Sequence, residues 1–148
     1  SLSEYLRTLF RSDVDVVAFR STTGKTRWRR SLVMVRRAGD VAHAMVDYAG
    51  RLAGPTGLVS ICTCIEREGD RRSSESMLAS LAHPVTSRCE TRVSRSSVVD
   101  FLERNAAQTD VVFVGASTHR SAASRFVAPP TFQRLDDVET DIAIVHTG

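Results

Sequence analysis

Ser31–Ile65 reads SLVMVRRAGDVAHAMVDYAGRLAGPTGLVSICTCI and contains a complete strand–helix–strand unit. Ser31 to Arg36, SLVMVR, is a continuous apolar run, the pattern of a strand covered on both faces. Gly39 and Asp40 then open a helix over Asp40 to Ala53. Val41, Ala44, Met45, Tyr48, Ala49 and Leu52 fall there at helical spacing. Gly54-Pro55 stops it. Leu58 to Ile65, LVSICTCI, is a second buried strand. Two such strands joined through a helix imply a right-handed crossover and a parallel sheet.

The same alternation continues toward the C-terminus. Glu66 to Arg72 is a charged loop. A helix from about Ser74 to Ala82 follows, capped by Ser73 or Ser74, with Met77, Leu78 and Leu81 inward. Val85 to Val93 alternates weakly, as a sheet edge does. Ser96 to Ala107 is a helix carrying Val98, Val99, Phe101 and Leu102. Asp110 to Gly115, DVVFVG, is the next strand, and a Ser/Ala-rich loop runs from Ala116 to about Ala128. Toward the N-terminus, Ser21 to Arg30, STTGKTRWRR, is polar and contains glycine, as a linker does. Trp28 is expected to pack that linker against a domain. Gly24-Lys25-Thr26 lacks the upstream glycine and the following helix of a phosphate-binding loop.

The two ends of the chain carry one pattern. Leu2 to Arg20 laid on Ala128 to His146 without a gap matches Leu6 with Phe132, Leu9 with Leu135, and Asp13 with Glu139. Asp15 then meets Asp141, and Val16-Val17-Ala18-Phe19 meets Ile142-Ala143-Ile144-Val145. Each copy reads as a short amphipathic helix, an acidic turn and a buried strand. The expectation is that residues 1–20 close a preceding, similar domain, 21–30 link the two, and 31–148 form one whole domain. Val14 to Arg20 should then lie antiparallel beside Thr140 to His146, because open strand edges seek pairing. That pairing is either internal or exchanged between two molecules.

A chain of 148 residues with 42% hydrophobic and 25% charged residues can bury a core and is not compositionally disordered. No stretch is long and apolar enough to span a bilayer, and no signal-peptide pattern stands at the start. The formal charge is +3, and Lys25 is the one basic residue that is not arginine. The arginines are scattered among acids, so a solvated surface is expected rather than a nucleic-acid stripe. Cys62, Cys64 and Cys89 lack metal spacing, and Cys62 and Cys64 share one strand face as small hydrophobes. Free thiols fit a cytoplasmic location.

The sequence carries no catalytic motif. His43, His83, His119 and His146 are scattered, and His43 pairs with Asp47 along one helix face. There is no nucleophile elbow and no paired-histidine zinc motif. The expectation is a protein that is not an enzyme.

With the elements in order, the chain resembles a universal stress protein domain over residues 29–146. The residues that carry the resemblance are Trp28 to Val35, WRRSLVMV, before and through the first strand of that domain, and Asp40 to Thr56, DVAHAMVDYAGRLAGPT, at its first helix. Asp110 to Gly115 and Asp141 to Val145 look like its fourth and fifth strands. The resemblance implies an α/β fold, a three-layer α/β/α sandwich with a five-stranded parallel sheet in the order 3-2-1-4-5. It also implies dimerisation, often through the last strand. Many members bind ATP at the carboxyl ends of strands one and four, where a doubly wound sheet leaves a crevice.

This chain departs from the family's nucleotide motif. The aspartate after strand one is replaced by Arg36 or Arg37. Gly115 matches the first glycine of the loop after strand four, but Thr118 and Arg120 stand at the next two glycine positions, and Pro129-Pro130 near the later Gly-Ser. Glycine lets backbone N–H groups approach a phosphate, and proline removes such a donor. ATP binding in the family manner is therefore not expected. Two readings of the crevice remain. Arg36, Arg37, Arg120 and Arg125 could hold a nucleotide or another phosphate with Ser117, Thr118, His119, Ser121 and Ser124. Alternatively the loop is polar and solvated, which the sequence favours. The resemblance implies a non-catalytic regulatory or assembly module, paired with a second copy or a tandem sister domain. Such tandem domains recur as cytoplasmic tails of amino-acid and cation–chloride transporters.

Overall fold

The computed structural model describes residues 4, 8, 13–21, 24, 27–116 and 139–148. Its sheet is built from β1 (Val16–Arg20), β2 (Arg30–Met34), β3 (Leu58–Cys64), β4 (Arg88–Ser94), β5 (Val111–Gly115) and β6 (Asp141–His146). Three helices accompany it: α1 (Asp40–Ala53), α2 (Arg71–Ala82) and α3 (Val98–Asn105). The strand order is β1-β6-β5-β2-β3-β4. Strands β2 to β6 are parallel where they pair, which gives the expected 3-2-1-4-5 order for the five-stranded part. β1 lies antiparallel on β6, with Val16 opposite His146 and Arg20 opposite Ile142. This is the expected pairing, made within one chain.

The two-residue period of the strands sorts the core into two layers. Val33, Ile61, Phe113 and Val145 face α1 and α2, whose Met45, Ala49, Leu78 and Leu81 are buried against them. Leu32, Cys62, Val112 and Ile144 face the other way, toward Phe101 and Leu102 of α3. Each fully buried Leu, Ile, Val or Phe is worth about 1.5–3 kcal/mol relative to exposure. Because the inner strands carry apolar residues on both faces, both sides of the sheet need a helical layer.

The amino end of the sheet is fastened by polar groups. Oδ2 of Asp110 accepts hydrogen bonds from the backbone N–H groups of Arg29 (3.1 Å) and Arg30 (2.9 Å). Asp110 N–H donates to the Arg30 carbonyl at 2.8 Å. The fully buried Asp141 carboxylate accepts from the Trp28 indole N–H at 2.8 Å. Trp28 also stacks on Phe19, with ring centroids 4.8 Å apart, so the linker packs down as expected.

Several details differ from the sequence reading. The buried stripe of α1 is Ala42, Met45, Val46, Ala49 and Ala53, and Leu52 is exposed. The apolar face is centred about one residue's rotation away from the expected one. Small alanines let the helix sit close to the sheet there. α2 starts at Arg71, not Ser74, with Asp70 at its N-cap and no side-chain capping bond. A 3₁₀ turn, Glu68–Asp70, leads into it. Arg71 fixes that start by donating to both Glu68 carboxylate oxygens (2.8 and 3.1 Å) and to the Val93 carbonyl (2.9 Å). β4 is shorter than expected, and Arg30 belongs to β2 rather than to the linker. The expected first and last helices fall largely outside the described residues.

Two glycines give opposite expectations. A Cβ on Gly57 would collide with the backbone carbonyl oxygens of Ala53 and Arg29, because the α1–β3 turn passes under the entry to β2. Gly57→Ala should lower stability by about 3 kcal/mol or more, read by urea unfolding. Gly50 lies inside α1 with open space where a Cβ would go. Gly50→Ala should raise stability by about 0.5–1 kcal/mol in the same assay.

Candidate functional site

From β2 the chain crosses to β3 on one side, and from β5 it goes on to β6 on the other. The sheet therefore changes direction between β2 and β5, and a crevice opens beyond their carboxyl ends. Its floor is rigid. Thr63 Oγ1 donates to the Val35 carbonyl at 2.6 Å, and Val35 N–H donates to the Cys62 carbonyl at 2.8 Å. On the other side Ala116 N–H donates to the Val145 carbonyl at 2.9 Å.

Arg36 and Arg37 follow β2 directly and are both exposed. Gly115 is the exposed last residue of β5. A Cβ there would lie 2.9 Å from Val41 Cγ1. This glycine lets the end of β5 pass close under the first turn of α1. The structure thus places Arg36, Arg37 and Gly115 at one end of the sheet. Ser117, Thr118, His119, Arg120 and Ser124 lie outside the described residues, as do Ser121 and Arg125. Asp40 stands in the first turn of α1, where its carboxylate already takes the favourable position for negative charge. That weakens the helix terminus as an anion site.

A cleft of about 520 Å³ adjoins the crevice, between the end of β3 and the start of α2. Arg36 borders it together with Thr63, Cys64, Glu66, Arg67, Asp70, Ser73 and Ser74. Arg67 Nε sits 3.7 Å from Asp70 Oδ2. Arg71 holds the nearby Glu68 carboxyl below its usual range through their hydrogen bonds. The cleft is polar and mixed in charge, so it suits a small polar molecule better than an apolar one. The sequence reads Glu66–Arg72 as a charged loop. The one signal for the cleft was a charged run following directly on a buried strand.

Cys62 is buried, and desolvation pushes its thiol from 9.0 up to about 12, against the opposing effect of Arg92. Burial also raises Cys64 and Cys89. Thiols held in the neutral form are poor nucleophiles. Among the described residues no group of His, Cys, Asp or Glu could hold a metal ion.

No family model and no curated protein matches the sequence. Solved structures share the fold. A universal stress protein in complex with cAMP matches with a TM-score of 0.62 at 22% identity, over 83% of this chain and all of that one. The universal stress protein from Archaeoglobus fulgidus in complex with dAMP matches with a TM-score of 0.59 at 10% identity, over 80% of this chain and 98% of that one. The cytoplasmic domain of a prokaryotic cation chloride cotransporter gives a TM-score of 0.69 at 11% identity. That match covers 99% of this chain but 57% of the cotransporter domain. The chain therefore has the universal stress protein fold. No helix among the described residues is long and apolar enough to cross a membrane.

The buried thiol gives a pH dependence with a definite sign. The folded state holds Cys62 protonated, while the unfolded chain loses that proton near 9.0. The contribution is complete below pH 9 and is lost as pH climbs toward about 12. Unfolding free energy should fall over that window, and Cys62→Ala should flatten part of the slope. A thiol reagent at pH 8 should reach Cys62 only after unfolding.

Proposed function

We propose that this chain is a universal-stress-protein-like regulatory or assembly domain of a larger protein, without catalytic activity and without ATP binding in the family manner. Its mechanism is association. The terminal strand presents an edge, another strand pairs with it, and a conformational bias passes between the joined units. The partner is a second copy or a tandem sister domain. On this reading residues 1–20 are the closing unit of a preceding similar domain.

The observation that carries the reading is the antiparallel pairing of β1 on β6. A strand from outside the βαβ series fills the edge where the family resemblance puts the dimer contact. The cotransporter likeness supports it. That match takes in 99% of the chain, whereas the cAMP-bound stress protein leaves about a sixth uncovered. A place on the cytoplasmic face of a membrane transporter is part of the proposal. Two features weigh against nucleotide. Arginine stands after β2 where the resemblance implies aspartate, and Asp40 occupies the start of α1.

A second reading is a nucleotide- or phosphate-binding stress sensor. The exposed Arg36, shared by the crevice and the 520 Å³ cleft, favours it, as do the cAMP and dAMP bound by two proteins of this fold. Calorimetric titration with ATP, ADP, AMP, cAMP and cyclic dinucleotides separates the two. The association reading expects no saturable heat from any of them. Saturable binding that Arg36→Ala abolishes would replace it with the sensor.

A further inference from the structure

We propose that the cleft between the end of β3 and the start of α2 binds a small zwitterion, a free amino acid, whose carboxylate goes to the guanidinium groups of the rim and whose ammonium goes to the rim carboxylates. The cleft is separate from the β1–β6 edge, so the proposal stands whether or not the association reading does.

The main chain around the cleft is held in place. Thr63 Oγ1 ties the end of β3 to the Val35 carbonyl at 2.6 Å. Ile65 N–H donates to the Ser94 carbonyl at 2.9 Å. The Glu66 carbonyl accepts from Arg95 Nε at 3.2 Å. Asp70 N–H donates to the Arg67 carbonyl at 3.1 Å, and the Asp70 carbonyl accepts from the Ser73 hydroxyl at 3.1 Å. Arg71 then fastens the start of α2 to Glu68 and to β4. A loop pinned in this way has less to lose in ordering when a ligand arrives.

The charges on the rim, by contrast, are uncommitted. Arg36 and Glu66 are exposed, and among the described residues neither side chain makes an ion pair or a hydrogen bond. Arg67 and Asp70 stand 3.7 Å apart, with 82% and 50% of their side chains exposed, a contact worth little in water. The floor is neutral. Thr63 has already given its hydroxyl proton to Val35, Ile65 is buried, and burial raises the Cys64 thiol so that it carries no charge near neutrality.

This balance of charge selects the ligand. Two guanidinium groups and two carboxylates leave the rim with no net charge. A phosphate would bring its charge against Glu66 and Asp70, and a bare cation would meet Arg36 and Arg67. An apolar molecule would strip water from all of them and return no hydrogen bond. A molecule with one charge of each sign satisfies both kinds of group. Arginine takes a carboxylate through its planar fork, and an ammonium donates to carboxylates and to hydroxyls such as Ser74. A volume of about 520 Å³ leaves room for the amino acid's own side chain and for ordered water.

Arg36 is shared with the crevice, whereas Glu66 borders only the cleft, and that difference separates a zwitterion from a nucleotide. Glu66→Gln removes a negative charge. It weakens a ligand held by its ammonium and strengthens one that is wholly anionic.

The test is calorimetric titration of the full chain with each of the common L-amino acids, then with analogues of the tightest. At least one should bind saturably with Kd between about 10 μM and 1 mM, the range open to so few atoms. Its amide lacks the carboxylate and its N-acetyl form lacks the ammonium, and each should bind about tenfold more weakly or worse. Arg36→Ala and Glu66→Gln should each weaken the parent amino acid by a similar factor. Both positions are exposed and unpaired among the described residues, so both variants should fold as the parent does. Absence of saturable heat from every amino acid at about 10 mM would overturn the proposal. So would binding that Glu66→Gln leaves unchanged, or an N-acetyl form that binds as well as the free amino acid. Inorganic phosphate or ATP binding that Glu66→Gln strengthens, with no amino acid bound, would replace the zwitterion with an anion and favour the sensor reading. None of these outcomes bears on pairing at the strand edge, which sedimentation reads separately.

Discussion

Two buried carboxylates hold the amino end of the sheet together, at the entries of β2, β5 and β6. Parallel strands enter the sheet from buried turns, so their first N–H groups need acceptors that the ladder does not supply. Asp110, at the entry to β5, accepts from two successive N–H groups at the entry to β2. Asp141, at the entry to β6, accepts from Trp28, which precedes β2. Thr140 Oγ1 adds a bond to the Thr109 carbonyl at 3.3 Å. The registers of the three central strands are thereby fixed at one end. A carboxylate in such a place accepts several bonds at once and is costly to leave unpaired.

The carboxyl end of the sheet is the complement of this. It too carries internal bonds, at Thr63, Val35, Ile65 and Ala116, and among the described residues Arg36 and Arg37 stand exposed there. The amino end is distinguished by its buried carboxylates, the carboxyl end by its exposed arginines. Trp28, just before β2, touches Phe19 of β1 and Asp141 of β6, and Arg36 follows β2 at its other end.

Much of this architecture was legible in the sequence because it depends on local pattern. Continuous apolar runs gave β2, β3 and β5, and the repeat of 2–20 in 128–146 gave the antiparallel β1–β6 pair. What stayed hidden depends on distant partners. Asp110 and Asp141 read only as acids beside strands, since the groups they accept from lie 80 to 113 positions away. The true start of α2 depends on Arg71 reaching the Val93 carbonyl, which no helix-capping rule contains. Leu52 matched the helical period yet faces solvent, because the alanines beside it decide how closely α1 approaches the sheet. The cleft beside Arg36 depends on where a charged turn comes to rest above β3. Of the expected crevice residues, Arg36, Arg37 and Gly115 stand at the carboxyl end of the sheet, and the remainder belong to the segment outside the described residues.

The charged edge at β4 has a consequence for how large an assembly can grow. A sheet open on both sides can add neighbours without limit, which is the geometry of a fibre. Here Arg88, Glu90 and Arg92 lie along one outer strand, where charge discourages such pairing, and β1 covers the edge of β6 on the other side. The charges on one short strand therefore work against open-ended growth from that side.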